Sequence, residues 1–164
     1  MLVVSSMLLF AAFRVGAQWF GQTTTVIVLR HAEKLTQGPD PALSPEGMAR
    51  ATRLASLLRD SGVTAIYVSD TRRARETAQP LARRLGVQLV EYPGRKIDEL
   101  AGSILDRHRG QTVLVVGHSN TVPPLLATLS RGRYTTRLAD DEFDGLYFVT
   151  VNRFDPPSVL RLRY

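Results

Sequence analysis

Cysteine is absent from this sequence of 164 residues. Its absence excludes a disulfide scaffold, a thiolate zinc site, an iron–sulfur cluster and a cysteine nucleophile. Lysine is nearly absent as well: Lys34 and Lys96 are the only lysines, and the other basic residues are arginines. The 21 basic residues outnumber the 15 acidic ones. Guanidinium groups pair bidentately with phosphate oxygens, so an arginine-rich basic chain suits nucleic acid or small phosphorylated molecules. A GC-rich genome would produce the same composition.

The N-terminus has the pattern of a targeting segment. Residues Leu2 to Phe13 are apolar apart from two serines, and small residues up to Ala17 offer a cleavage site. We therefore expect residues 1–17 to be a signal peptide and the protein to be periplasmic or secreted rather than cytoplasmic. No basic residue precedes the apolar run, so an uncleaved anchor or a helix packed on the domain stays an alternative. No long uncharged apolar run follows, and no further membrane span is expected.

Strand and helix patterns alternate through the rest of the chain. Uniformly apolar, β-rich runs at residues 25–30 and 112–117 predict buried parallel strands. Ser44-Pro45-Glu46 has the residues of a helix start, and Gly86 those of a helix end. Strands are predicted at 25–30, 65–69, 87–91, 112–117, 146–151 and 159–162, with helices at 44–60, 71–85, 97–109 and 120–129. This order predicts an α/β three-layer sandwich over residues 24–164, with a mostly parallel central sheet and helices on both faces.

The first predicted helix has an amphipathic pattern. Met48, Leu54 and Leu58 recur at helical spacing, which predicts that they share the face packed on the sheet. Arg50 and Arg53 lie outside that face.

Three groups of polar residues directly follow predicted strands: Arg30-His31, Ser69 to Arg73, and Gly117 to Asn120. Ligands bind beyond the carboxyl ends of parallel strands, so two histidines and several arginines are expected in one crevice. Guanidinium groups can neutralise a phosphate dianion while an imidazole attacks phosphorus or carries a proton. Taken singly, each histidine would more often be a hydrogen-bonded loop residue, and the arginines a solvated helix face.

Together these groups resemble the signature of the histidine phosphatase superfamily, which has the phosphoglycerate mutase-like fold. Arg30-His31-Ala32 resembles its Arg-His-Gly motif, and Gly117-His118-Ser119 its second-histidine motif. Two further stretches are similar to its Leu-Thr/Ser-x-x-Gly and Ser-x-x-x-Arg-Ala-x-x-Thr-Ala motifs: Leu43 to Gly47, and Ser69 with Arg73-Ala74 and Thr77-Ala78. The resemblance extends from Thr24 to the C-terminus and is strongest to a compact, exported bacterial branch.

The resemblance implies a catalytic role for four residues. His31 would be the nucleophile that forms a phosphohistidine, which water then hydrolyses. Arg30 and Arg73 would hold the non-bridging phosphate oxygens, and His118 would donate to them. Alternatively, Arg30 would form a structural salt bridge and not contact the phosphate.

Further residues are expected around the substrate. Ser119 and Asn120 would bind it through backbone N–H groups at a helix N-terminus. The motif favours Arg73 over Arg72 and Arg75 for the phosphate, which leaves Arg72 at the rim of the substrate site.

The proton donor for the leaving group is open. Larger relatives place a glutamate after the third strand, where this sequence has no convincing match. The candidates are Glu33, Glu91 and Glu142, although Glu33 could equally pair with Lys34, and the acidic run around Glu142 is more typical of a solvated turn. A missing strong acid would suit substrates with good leaving groups.

The sequence therefore predicts a histidine acid phosphatase-type phosphoric monoester hydrolase, acting on a phosphate monoester or phosphoanhydride without metal or cofactor. A phosphoglycerate mutase-type phosphotransferase is one alternative, although the segment 92–111 is short for it. A non-catalytic phosphate-binding module is another, although both histidines and both arginines are retained.

A small phosphorylated substrate is the expected partner. Nucleic acid is not expected without an aromatic stacking platform, nor is a membrane beyond an uncleaved N-terminal segment. The oligomeric state is left open.

Overall fold

Six strands form one sheet in the computed structural model, which describes residues 22–164. In chain order they are β1 (Thr24–Arg30), β2 (Val63–Ser69), β3 (Leu89–Tyr92), β4 (Thr112–Gly117), β5 (Gly145–Val151) and β6 (Ser158–Arg163). Their order across the sheet is β3-β2-β4-β1-β5-β6. The first four strands are parallel, β5 runs antiparallel to β1, and β6 runs antiparallel to β5. The predicted element order and the mostly parallel sheet are confirmed, and the predicted signal peptide lies outside the described residues.

Four helices in this region complete the three layers: α1 (Pro45–Leu57), α2 (Arg72–Leu85), α3 (Ile97–Arg107) and α4 (Val122–Leu129). Side chains alternate across β1, so Val26 and Val28 pack with α3 and α4, whereas Ile27 and Leu29 pack with α1 and α2. Because β1 is buried on both faces, its central residues Val26 to Leu29 are all apolar, as predicted. Within residues 22–164, no helix combines the length and the apolar character needed to cross a bilayer.

Several predicted boundaries shift because turns take residues from the elements. Gly86 ends α2 with φ 67°, and the Val87 N–H then donates to the Ala82 carbonyl, so β3 begins at Leu89 rather than at residue 87. The Gln111 N–H donates to the His108 carbonyl, so α3 ends at Arg107 rather than at residue 109.

Helix α1 begins as predicted, but its buried face is rotated. The Ser44 hydroxyl accepts the Gly47 N–H at 3.1 Å, with Pro45 at the first helical position. The expectation that Met48 is buried is wrong, because its side chain is 55% exposed. Arg50 lies outside the predicted apolar face, and its guanidinium reaches the Glu33 carboxylate at 2.6 Å. The helix turns this face inward because Gly47 packs directly against the backbone of Glu33.

This close approach predicts that Gly47→Ala destabilises the fold. An added Cβ would lie 2.1 Å from the Glu33 carbonyl oxygen, so backbone must shift, at a cost of about 1–3 kcal/mol in the free energy of unfolding. The control is Gly102→Ala in α3, where a Cβ meets no described atom within 4 Å. That change should add about 0.5–1 kcal/mol through helix propensity. Urea unfolding followed by circular dichroism measures both, and equal effects would contradict the packing.

Candidate active site

Both histidines singled out by the sequence lie at the carboxyl ends of neighbouring strands. Arg30 at the end of β1 pairs in register with Gly117 at the end of β4, and the His31 N–H donates to the Gly117 carbonyl at 2.9 Å. His31 and His118 therefore meet, with ring centroids 5.1 Å apart. The sheet topology brings them together as expected.

The guanidinium of Arg73 lies between these two imidazoles. Its Nε donates to His31 Nε2 at 3.2 Å, and its Nη2 lies 3.4 Å from His118 Nδ1. Arg73 occupies the first turn of α2, where backbone N–H groups and the helix dipole also favour an anion. Three of the four predicted catalytic side chains thus converge through one cation.

The hydrogen bonds of His31 determine its tautomer. Its Nδ1 lies 2.7 Å from the Ala32 carbonyl oxygen, which can only accept, so Nδ1 carries the proton and Nε2 presents a lone pair to Arg73. Burial, with the nearby positive charges of Arg73 and Arg30, lowers the pKa of His31 to about 3. The imidazole is therefore neutral at pH 7, the form in which it can act as a nucleophile.

His118 has the opposite tautomer. A guanidinium can only donate, so Nδ1 accepts from Arg73, and Nε2 carries the proton and donates to the Ser69 hydroxyl at 2.7 Å. Burial and the charge of Arg73 lower the pKa of His118 to about 4. In this neutral state Nδ1 has no proton to give to a phosphate, a detail that the sequence did not show.

Thr77, a motif residue without a predicted role, ties the nucleophile to α2. Its fully buried hydroxyl accepts the Ala32 N–H at 3.0 Å and donates to the Arg73 carbonyl at 2.7 Å. One side chain thereby links the backbone beside His31 to the residue that faces its Nε2.

Arg30 contacts backbone rather than a carboxylate. Its Nη1 donates to the carbonyls of Ala139 and Glu142, at 2.8 and 3.1 Å, and its guanidinium stacks 4.1 Å from the Phe143 ring centroid. Burial lowers the pKa of Arg30, although nearby acidic residues oppose the shift. Phe143 in turn lies 6.0 Å from the His31 ring, between centroids. Arg30 therefore holds the 139–143 segment at one side of the site. This contact is closer to the structural role that the sequence left as an alternative than to direct phosphate binding.

Arg72 and Arg75 point away from the two histidines. Arg72 Nε donates to Glu76 and Arg75 Nη1 to Glu91, at 2.7 and 2.6 Å. Both guanidinium groups are substantially exposed. Only Arg73 of the three contacts an imidazole within the part of the chain that the structure describes.

The three candidate proton donors are each paired with an arginine. Glu33 binds Arg50, Glu91 binds Arg75, and Glu142 binds Arg161. Burial alone would raise the pKa of Glu33, but its hydrogen bonds and the charge of Arg50 outweigh burial and lower it. Among residues 22–164, none of these carboxylates is hydrogen-bonded to His31 or His118.

The Ser119 and Asn120 backbone lies in a turn before α4, not in the helix. The Thr121 hydroxyl accepts the His118 N–H at 2.8 Å, and the His118 carbonyl accepts the Val122 N–H at 2.9 Å. This turn delays the helix start to Val122, so the predicted start at residue 120 is wrong.

Asp40 is the carboxylate at the site that sequence reasoning missed. It accepts the Arg72 N–H at the start of α2, at 3.0 Å, and lies 3.4 Å from Arg73 Nη1. Its place between two loop prolines marks a turn, but local spacing gives no signal that it reaches a helix 32 residues later. Asp40 therefore acts on the position of Arg73.

Part of the chain matches a known protein family in sequence. The model of the histidine phosphatase superfamily (branch 1) matches residues 21–95, a range that includes His31 and Arg73. No curated protein matches the chain in sequence.

Solved structures show the fold more broadly. A putative phosphohistidine phosphatase SixA from Nakamurella multipartitia is 21% identical with a TM-score of 0.67, over 86% of this chain and 96% of that one. A mycobacterial glucosyl-3-phosphoglycerate phosphatase is 15% identical with a TM-score of 0.69, over 87% and 99%. A phosphoserine phosphatase mutant from Entamoeba histolytica, in complex with phosphoserine, is 18% identical with a TM-score of 0.63, over 83% and 94%. The α/β fold of this chain is therefore the phosphoglycerate mutase-like fold.

The contacts of Thr77 predict that Thr77→Val damages the site as well as the fold. Valine has nearly the same shape but leaves the buried Ala32 N–H unpaired, which should cost about 1–3 kcal/mol in the free energy of unfolding. Thr77→Ser keeps the hydroxyl and is the matched control. Chemical unfolding and the phosphatase activity proposed below measure both variants. A Val variant that is as stable and active as the Ser variant would contradict the positioning role.

Proposed function

We propose that this chain is a phosphatase of the histidine phosphatase superfamily that hydrolyses a phosphate monoester or phosphoanhydride through a phosphohistidine on His31. The observation that carries the proposal is the Arg73 guanidinium held between His31 Nε2 and His118 Nδ1. A cation flanked by two neutral imidazoles suits a phosphate dianion. The family match over residues 21–95 and the phosphatases among the structural neighbours support it.

Binding of the dianion would prepare the nucleophile. The phosphate oxygens take the donors of Arg73, which frees the Nε2 lone pair of His31. That lone pair attacks phosphorus; an N–P bond forms, and the bond to the leaving oxygen breaks with its electron pair on oxygen. The Nδ1–H bond to the Ala32 carbonyl stabilises the positive charge that develops on the imidazole. Water then cleaves the N–P bond and releases inorganic phosphate.

His118 gains its donor role only with substrate bound. A dianion beside it favours the protonated imidazole and raises its pKa from the low value of the free protein. Protonated His118 then donates from Nδ1 to a phosphate oxygen, while its Nε2–H bond to Ser69 keeps the ring in place. Arginine and histidine thus supply the positive charge, so the proposed reaction requires no metal.

The paired carboxylates favour substrates with good leaving groups. Because Glu33, Glu91 and Glu142 are held by arginines, protonation of the leaving oxygen by one of them requires a broken ion pair. Acyl phosphates and other anhydrides need less protonation of the leaving oxygen on departure. We infer a preference for that class over alkyl phosphates.

Hydrolysis is favoured over phosphotransfer by the segment between β3 and β4. It consists mainly of α3, whose Leu100, Ala101 and Ile104 pack on the sheet, so it does not extend over the crevice to exclude water from a phosphohistidine. The exported location stays a prediction from residues 1–17.

Trapping the covalent intermediate tests the function directly. The wild-type chain, mixed with ³²P-labelled acetyl phosphate and quenched in alkali, should carry label that acid releases, as expected for phosphohistidine. His31→Ala should carry none and lose nearly all turnover of p-nitrophenyl phosphate, because no other group forms the intermediate. His108→Ala is the matched control, since His108 lies away from the site and bonds to Tyr67 and Gln111.

Two results would refute the assignment. One is a His31→Ala variant that keeps a tenth of the activity. The other is activity lost with chelator and restored by zinc or magnesium, which would mean that a metal supplies the charge.

The three neighbouring arginines provide an internal comparison. Arg73→Ala should lower kcat/KM for p-nitrophenyl phosphate about 10²–10³-fold, because it removes a donor from the developing phosphoryl charge. Arg72→Ala and Arg75→Ala remove the same charge from the same helix but only break ion pairs with Glu76 and Glu91, so less than about threefold is expected. Steady-state kinetics of the three variants decide it. A crippled Arg72 or Arg75 variant beside an active Arg73 variant would overturn the assignment.

A further inference from the structure

A second cleft lies at the opposite end of the sheet from the two histidines. It encloses about 330 Å³ where β1 begins and β5 ends, and Thr24 and Val151 are among its lining residues. His31 directly follows β1 at the other end of that strand. With a rise of about 3.3 Å per residue, the two regions are roughly 20 Å apart. The cleft is therefore separate from the proposed active site.

The cleft is basic. Arg109, Arg131 and Arg153 line it, each from a different loop, while Asp106 is the acidic residue of the lining. Asp106 lies 3.4 Å from Arg109 and partly offsets its positive charge. Arg131 has φ 54°, a left-handed conformation that is uncommon outside glycine. The loop thus accepts backbone strain at the position where it presents this arginine.

An exposed aromatic side chain stands beside the cleft. Phe154 follows Arg153 in the β5–β6 turn and is 64% exposed. The turn is ordered, because the Asn152 side-chain oxygen accepts the N–H groups of Phe154 and Asp155 at 2.7 and 2.6 Å. An aromatic ring among arginines is the combination by which proteins rest on a membrane, the ring entering the interface and the arginines binding lipid phosphates.

The N-terminal sequence enters the described domain at this same surface. Gln22 lines the cleft, and the sequence just before it contains Trp19-Phe20 and, further upstream, the apolar run Leu2 to Phe13. Trp19-Phe20, and the whole apolar run in the alternative in which residues 1–17 are not cleaved, therefore join the domain at the basic cleft. The cleft itself, lined by Leu105 and Val151 but mostly by charged and amide side chains, does not suit an apolar peptide as occupant. Lipid headgroups match the charge of the cleft, and the membrane interior matches the adjoining sequence.

We propose that Arg109, Arg131, Arg153 and Phe154 form a headgroup-binding face that docks on an anionic membrane surface. The crevice with His31 then opens on the side away from the lipid. This extends the expectation from the sequence, which allowed membrane contact through the N-terminal segment alone. The proposal is independent of the phosphatase chemistry.

Vesicle binding by the full chain tests the headgroup-binding face. Binding is measured by co-sedimentation with vesicles of phosphatidylcholine alone, or of phosphatidylcholine with about one-third phosphatidylglycerol, at physiological salt. The ratio of the two affinities removes the contribution of the apolar segment, which is the same in every variant. Each arginine near an anionic surface should contribute about fivefold to that ratio.

The informative variants are Arg131→Gln/Arg153→Gln and Phe154→Ser. The double variant should lower the ratio about 25-fold. Phe154→Ser should weaken binding to both kinds of vesicle, because it removes an apolar contact. Arg83→Gln/Arg84→Gln, at the end of α2, loses the same charge away from the cleft and should change the ratio less than about twofold. Thermal melting confirms that each variant is folded.

Three results would overturn the proposal. The first is an unchanged ratio in the Arg131/Arg153 variant, and the second is an equal loss in the Arg83/Arg84 control, which would reduce the effect to net charge. The third is tighter binding of a duplex oligonucleotide than of anionic vesicles with the same dependence on Arg131 and Arg153, which would assign the cleft to nucleic acid.

Discussion

The arrangement of the site depends on one chemical constraint: a guanidinium donates hydrogen bonds and cannot accept them. Because Arg73 faces both imidazoles, His31 Nε2 and His118 Nδ1 must both present lone pairs. The remaining ring nitrogens must then carry protons, and each meets an acceptor, the Ala32 carbonyl or the Ser69 hydroxyl. One cation thus sets two tautomers, and burial keeps both rings neutral.

This constraint holds only because the fold leaves the three groups little freedom. The β1–β4 register fixes the backbones of the two histidines against each other, and Thr77 fixes Arg73 against His31. Asp40 adds a second restraint at the start of α2. The site is therefore assembled from strand ends and the first turn of a helix, which are the most rigid positions that this topology offers for catalytic groups.

The sequence predicted what local pattern and strand order determine. Buried apolar runs located β1 and β4, and the polar residues that follow them located His31 and His118. The Ser44 cap and the Gly86 helix end are equally local and were predicted. Contacts between distant segments were not predictable in this way: Arg50 turns inward to reach Glu33, Arg30 holds carbonyls over 100 residues away, and Asp40 caps a remote helix. Periodicity predicts the buried face of a helix with an uncertainty of about one residue. The structure buries Gly47 and exposes the neighbouring Met48, which the pattern had assigned to the buried face.

The function of the excess arginines could not be inferred from composition, but their positions in the structure separate them into groups. Arg50, Arg72, Arg75 and Arg161 pair with carboxylates and serve the fold. Arg73 has Asp40 beside it but also faces two neutral rings at the carboxyl end of the sheet, while the headgroup-binding face gathers three arginines at the other end. We propose that both regions bind phosphate groups, but through different physics. At Arg73 the partners are buried and fixed, which suits one dianion in one geometry. On the headgroup-binding face the charges are exposed on loops, which suits a surface of many phosphates better than any single one. In these proposals the same residue type supports chemistry at one end of β1 and attachment at the other.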